Sequence, residues 1–245
     1  LELGSHTLNF ITAPMVHWPE VIMSYESSEK VLFSSDGFGK FGAFDYEEDW
    51  ACEARRYYFG IVGKYGAQVQ AVLKKAANLD IKMICSSHGP VLSENLGYYL
   101  DLYDKWSSYT PEEKGVFIAY SSVYGHTEEA AQFLAKELEA NGAEKVDLVD
   151  LSREDMAENV EDAFRYDRLV IATTTYNMSI FPSARIFVEE LLERGYKNRK
   201  IAIIENGSWA PAVIKNITEK FADSENIEFV EPFVSIRSAM KAEDK

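Results

Sequence analysis

The sequence has 245 residues, of which 47% are hydrophobic, 13% aromatic and 27% charged, a composition of ordered globular proteins at a length that predicts two compact units with separate cores. A formal net charge of −15 repels nucleic acid and anionic membrane surfaces at long range. No apolar run approaches the roughly 20 residues of a membrane-spanning helix and no signal-peptide pattern is present, so the chain reads as cytoplasmic, with neither nucleic acid nor membrane as partner.

The first three apolar runs, Thr7–Thr12, Val21–Tyr25 and Lys30–Ser34, are broken by turns and predict consecutive strands. A helical stretch from about Glu47 to Ala77 follows, with interruptions at Gly60 and Gly63, and Ile81–Cys85 reads as a buried strand ended by His88-Gly89-Pro90. Cys52 and Cys85 stand in no metal-type spacing and are expected as buried free thiols. Over Asn95–Tyr109 the residues Leu96, Tyr99, Leu100, Tyr103 and Trp106 share one helical face. Pro111-Glu-Glu-Lys114 reads as a linker that divides residues 1–112 from residues 113–245.

Beyond it, strands at Gly115–Tyr120, Lys145–Val149, Arg168–Thr173, Lys200–Glu205 and Ile227–Phe233 alternate with helices over 126–140, 153–164, 183–194 and 210–222. Such alternation predicts an α/β unit, a doubly wound sheet of five parallel strands covered on both faces. A parallel sheet of this kind binds its ligand at the carboxyl ends of its strands. The loops there are chemically distinctive. Ser122, Val123, Tyr124, Gly125, His126 and Thr127 lead straight into a helix, and hydroxyls, a glycine and successive N–H groups at a helix N-terminus make a cradle for phosphate. The same residues also read as an ordinary Ser/Thr helix cap. Thr174, Thr175, Tyr176 and Asn177 follow the third strand, and Asn206, Gly207, Ser208 and Trp209 follow the fourth. Each loop offers small polar groups for the edge of a ring and one large aromatic for its face.

Through Ser122-x-Tyr124-Gly125-x-Thr127, Thr174-Thr175-Tyr176-Asn177 and Asn206-Gly-Ser-Trp209 the second unit resembles flavodoxin. The resemblance implies FMN, its phosphate on Ser122–Thr127 and its isoalloxazine between the other two loops.

In the first unit His17, Asp36 and His88 each stand beside a Pro or Gly turn at or just beyond a strand end. Two imidazoles and a carboxylate suit a first-row transition metal, although their separations carry no intrinsic metal signature and turn-forming residues of these types are common. His17-Trp-Pro-Glu20, Ser34-x-Asp36-x-Phe38-Gly39 and Ser87-His88-Gly89 ahead of a flavodoxin-like module resemble the flavodiiron proteins. That resemblance implies part of a metallo-β-lactamase-like αββα domain, with His17 and His88 as iron ligands and Asp36 bridging two irons. It also implies electrons from a donor such as rubredoxin, reduction of O2 to water or NO to N2O, and a homodimer or tetramer. Glu20 stands where the family usually has aspartate. The family's other ligand segment and a last helix covering the sheet are not found in the sequence, which suggests a chain truncated at both ends with an incomplete di-iron site. Two other readings stay open: an FMN electron carrier whose first unit is a metal-free scaffold, and a zinc hydrolase.

Overall fold

The computed structural model describes residues 1–43 and 48–244; Glu47, where the first helical stretch was expected to start, lies outside the described residues. The chain divides into two compact units, Leu1–Thr110 and Pro111–Lys245.

In the first unit β1 (Glu2–Leu3), β2 (His6–Thr12), β3 (Ile22–Glu26), β4 (Val31–Ser35) and β5 (Met83–Ser86) form one sheet in chain order, antiparallel except for the parallel β4–β5 pair. Period-2 alternation sorts its faces: Met23, Tyr25, Leu32 and Ile84 are buried, whereas Phe10, Ile22 and Phe33 on the other face are exposed. The long helical stretch is broken as its glycines predict. α1 (Trp50–Tyr57), capped by the Asp49 carboxylate on the Ala51 and Cys52 amides, passes through a π turn at Tyr58–Val62 and a 3-10 turn at Gly63–Tyr65 into α2 (Gly66–Ala76). α3 (Leu96–Ser108) packs closely on this segment, because a Cβ at Gly66 would lie 2.3 Å from the Ser107 carbonyl oxygen. Tyr58, Tyr103 and Trp106, with ring centroids 5.3 to 5.5 Å apart, fill the core beneath. Cys52 and Cys85 are free thiols, though half-buried where full burial was expected.

The second unit is built on β6 (Glu113–Tyr120), β7 (Val146–Asp150), β8 (Tyr166–Tyr176), β9 (Ser179–Ile180), β10 (Arg199–Asn206), β11 (Ile227–Phe229) and β12 (Val234–Ile236). The order is β7-β6-β8-β10-β11, all parallel, which is the 2-1-3-4-5 order of a flavodoxin-like sheet. Val116 to Tyr120 are buried without a break, as a central strand covered on both faces requires. One face is covered by α4 (His126–Ala140), whose Ala130, Ala131 and Ala135 pack with Val116, Ile118 and Val170. The opposite face carries Phe117, which meets Phe187 of α6 (Pro182–Glu193) at 6.4 Å. α5 (Met156–Arg165) is capped by Asp155, and α7 (Val213–Lys220) follows Pro211, later than expected.

Three details correct the expectation. The fifth strand is not continuous over Ile227–Phe233: β11 and β12 pair with successive parts of β10, and Pro232 between them has no N–H for the ladder. A short antiparallel β9 is added to β8. Glu113 and Lys114, expected in the linker, already belong to β6. No helix among the described residues is long and apolar enough to cross a membrane.

Candidate functional site

The carboxyl ends of β6, β8 and β10 open onto a cleft of about 290 Å³, near the low end of the roughly 300–1,000 Å³ typical of small-molecule sites. It is lined by Ser122, Val123, Tyr124, His126 and Thr127 from the first loop, Thr174, Thr175 and Tyr176 from the second, and Asn206, Gly207 and Ser208 from the third. The structure therefore brings the three loops to one place. A larger cavity of about 480 Å³ beside α2 and α3 is mostly apolar, and two of its polar residues, Gln70 and Asp104, already hydrogen-bond each other.

Gly125, Asn177 and Trp209 are not among the lining residues. Gly125 starts α4 at φ +88° and donates its N–H to Ser122 Oγ at 3.0 Å, which shapes the loop. Asn177 and Met178, at φ +51° and +59°, form the two-residue turn between Tyr176 and Ser179, a conformation that asparagine tolerates well. Trp209 is 85% exposed and Tyr124 87% exposed, so both rings stand free to cover a flat apolar ligand. Phe181 and Ser238 line the cleft and were not anticipated. Phe181 meets Tyr176 edge-on at 5.7 Å. Ser238 follows β12 to the same carboxyl edge, where the rule for parallel sheets would have placed it had the split strand been read.

Three threonine hydroxyls at or beside the cleft lack partners, whereas Ser122, Thr175 and Asn206 are already engaged. Thr127 Oγ1, Thr173 Oγ1 and Thr174 Oγ1 are buried without a hydrogen-bond partner, and α4 has no side-chain cap. A buried hydroxyl left unpaired costs about 1–3 kcal/mol, so threonines at these positions fit a ligand that supplies the missing partners. Glu128, in the first turn of α4, is engaged by the Tyr120 hydroxyl; burial, then the charges of Glu128 and Asp150, push that phenol up to about 12. The first-turn amides and the Thr127 hydroxyl thus suit a phosphate, and the two other loops suit a flat ring.

In the first unit the turn after β4 is held by Ser34 Oγ donating to the Gly37 carbonyl at 2.6 Å and by the Phe38 N–H donating to Tyr103 Oη at 2.6 Å. Asp36, on this turn, has Oδ2 3.5 Å from His17 Nε2 and Oδ1 3.3 Å from His88 Nε2. One carboxylate therefore gathers both histidines. Tyr57, which the sequence reading missed, hydrogen-bonds Asp36; burial and then the Asp36 charge raise its phenol well above the ordinary tyrosine range. Helical periodicity marks Tyr57 as a core residue, and nothing in the pattern shows that its hydroxyl meets Asp36. Among the described residues no group of three or more His, Cys, Asp or Glu side chains stands ready to hold a metal ion.

Two family models match the chain in order: ODP family beta lactamase over residues 1–89 and Flavodoxin domain over residues 117–226. An uncharacterized protein of Methanocaldococcus jannaschii is 30% identical over 194 residues, 77% of this chain and 49% of its own length. The anaerobic nitric oxide reductase flavorubredoxin of Escherichia coli is 26% identical over 235 residues, 91% of this chain and 49% of its own length. The chain thus spans about half the length of the curated relatives it matches. Among solved structures, rubredoxin oxygen:oxidoreductase of Desulfovibrio gigas superposes with a TM-score of 0.89 at 22% identity, covering 100% of this chain and 63% of that one. The flavodiiron protein of Giardia intestinalis does so with a TM-score of 0.83 at 24% identity, covering 95% and 61%. At these identities the structural likeness establishes the fold, and it bears out the expected pairing of a β-lactamase-like unit with a flavodoxin-like one.

Proposed function

The chain belongs to the flavodiiron family, a β-lactamase-like domain followed by a flavodoxin domain, and from that premise we propose that residues 113–245 bind FMN and pass electrons toward a metal site in residues 1–112. The observation that carries the reading is the cleft at the carboxyl ends of β6, β8 and β10, with its unpartnered buried threonine hydroxyls. When bound, FMN supplies one- and two-electron transfer. Thr127, Ser122 and the first-turn amides of α4 hold the phosphate, where the positive end of the helix dipole offsets the net negative charge of the chain. Thr174 and the backbone of residues 206–208 face the polar edge of the ring. Tyr124, Tyr176 and Trp209 cover its faces and keep water from it.

Two imidazoles and a carboxylate suit one first-row ion, so His17, Asp36 and His88 are assigned as metal ligands, with Tyr57 orienting Asp36. The described residues do not supply the donors of a two-iron centre, and the metal part of the reading rests on these three side chains. In the whole protein the donor is rubredoxin or a related protein and the substrate is O2 or NO, which the names of the relatives support; a homodimer or tetramer is carried by the family resemblance alone, and a cytoplasmic place by the sequence reading.

A second reading is an FMN electron carrier with a metal-free first unit, in which Asp36 holds His17, His88 and Tyr57 by direct contacts and needs no metal between them. The visible spectrum and the iron and zinc content of one purified sample separate the two. Flavin bands with iron support the oxidoreductase, and flavin without metal supports the carrier. Zinc without flavin contradicts both and revives the hydrolase.

A further inference from the structure

Ile204, Glu205 and Asn206 of β10 pair with Val234, Ser235 and Ile236 of β12. This register carries the chain beyond Ile236 to the carboxyl edge of the sheet, where Ser238 lines the cleft. Ser238 sits at φ +69°, in the left-handed region that a serine rarely adopts without support. Asn206, only 6% exposed, provides that support. Its Nδ2 donates to the Ser238 carbonyl at 2.9 Å, and its Oδ1 accepts the Ser238 N–H at 3.0 Å. The side-chain amide thereby stands in for a strand's peptide group and extends the sheet by one residue. The next amide continues the pattern, with the Gly207 N–H donating to the Ile236 carbonyl at 3.0 Å.

Two consequences follow for the residues of the cleft. Both polar atoms of Asn206 are engaged on Ser238, although its place in the loop suggested a side chain facing the ring. Ser238 has its amide and carbonyl taken by Asn206, so its exposed side chain is what it offers to the cleft. Thr175 follows the same logic, since its Oγ1 accepts the Ala212 N–H at 3.0 Å and ties the second loop to the third.

We propose that Asn206 is a positioning residue that acts through Ser238, and that the Ser238 hydroxyl forms a fourth wall of the flavin site as a direct ligand contact. The proposal rests on the FMN reading above. It is tested with the full chain by titrating FMN into the wild type, Asn206→Ala, Ser238→Ala and the double variant, following flavin fluorescence and the visible band of the bound flavin. Thermal unfolding without FMN checks each fold. Each single variant is expected to raise Kd by about 3- to 10-fold, the loss of one neutral hydrogen bond. The double variant is expected to stay within about twofold of Asn206→Ala, because the two residues serve one contact. The flavin band should move in the same direction in both single variants. A double variant whose loss equals the product of the single losses, or an unmoved band in Asn206→Ala, overturns the proposal. If Asn206→Ala does not fold, Asn206→Asp, which keeps the acceptor and loses the donor, completes the same cycle. A wild-type chain that does not bind FMN overturns the FMN reading and this proposal together, whereas a binding wild type with an additive cycle overturns this proposal alone.

Discussion

Replacing Thr127 by valine keeps the shape of a fully buried side chain and removes one hydroxyl, and the structure predicts effects of opposite sign on stability and on binding. In the ligand-free chain Thr127 Oγ1 has no partner. The variant sheds a penalty of about 1–3 kcal/mol for an unpaired buried hydroxyl, so its unfolding midpoint should rise. With FMN bound, the same hydroxyl donates to a phosphate, and a charge-assisted bond of this type contributes about 1.5–3 kcal/mol. Its loss should raise the Kd for FMN by about 10- to 150-fold. Riboflavin has no phosphate and should lose less than about twofold, within the tolerance for a site that does not touch the change. The assay is a fluorescence titration of Thr127→Val with both flavins, beside thermal unfolding without ligand. An equal loss for FMN and riboflavin, or no loss for FMN, would refute the placement of the phosphate at the N-terminus of α4.

Gly207→Ala places a Cβ 2.9 Å from Pro211 Cα and 3.2 Å from Thr175 Oγ1. Overpacking of this kind costs about 1–3 kcal/mol; because the loop faces the ring, FMN and riboflavin should both weaken, and unchanged titrations would contradict the assignment. Glu26 accepts the amides of Glu29, Ser28 and Thr7, which lowers its carboxyl from 4.5 to about 2. A group whose folded pKa is depressed contributes stability above its unfolded value and loses it as pH falls, here between 4.5 and about 2. Glu26→Gln should therefore lose less stability than the wild type between pH 5 and pH 2, roughly the window in which the native carboxylate titrates, and equal pH slopes in urea melts would contradict this. Asp36→Ala removes the carboxylate that both histidines share and should abolish metal retention measured on purified protein, while unchanged metal content would exclude His17, Asp36 and His88 as ligands.

How much of this was legible depends on where each interaction acts. α4 spans residues 126–140 as the sequence predicts, since Gly125 marks its start and apolar periodicity its face. The phosphate loop was legible because hydroxyls and glycine before a helix carry their chemistry locally. The split of the last strand was not, because the pairing of β11 and β12 with β10 is a tertiary register in which Pro232 breaks the ladder. Asn206 reads from its loop as a ring contact, and only the folded chain brings it to Ser238. Likewise, the convergence of His17 and His88 on Asp36 carries no signal in their spacing; their donor types beside strand-end turns suggested it, and the family resemblance strengthened it.

Titrating FMN into the flavin-free chain and following the quenching of its fluorescence tests whether a flavin sits at the carboxyl ends of β6, β8 and β10. Saturable quenching at about one FMN per chain is expected, one cleft holding one ligand, with riboflavin binding more weakly for want of the phosphate contact. Fluorescence that stays unquenched, or riboflavin binding as tightly as FMN, would contradict it.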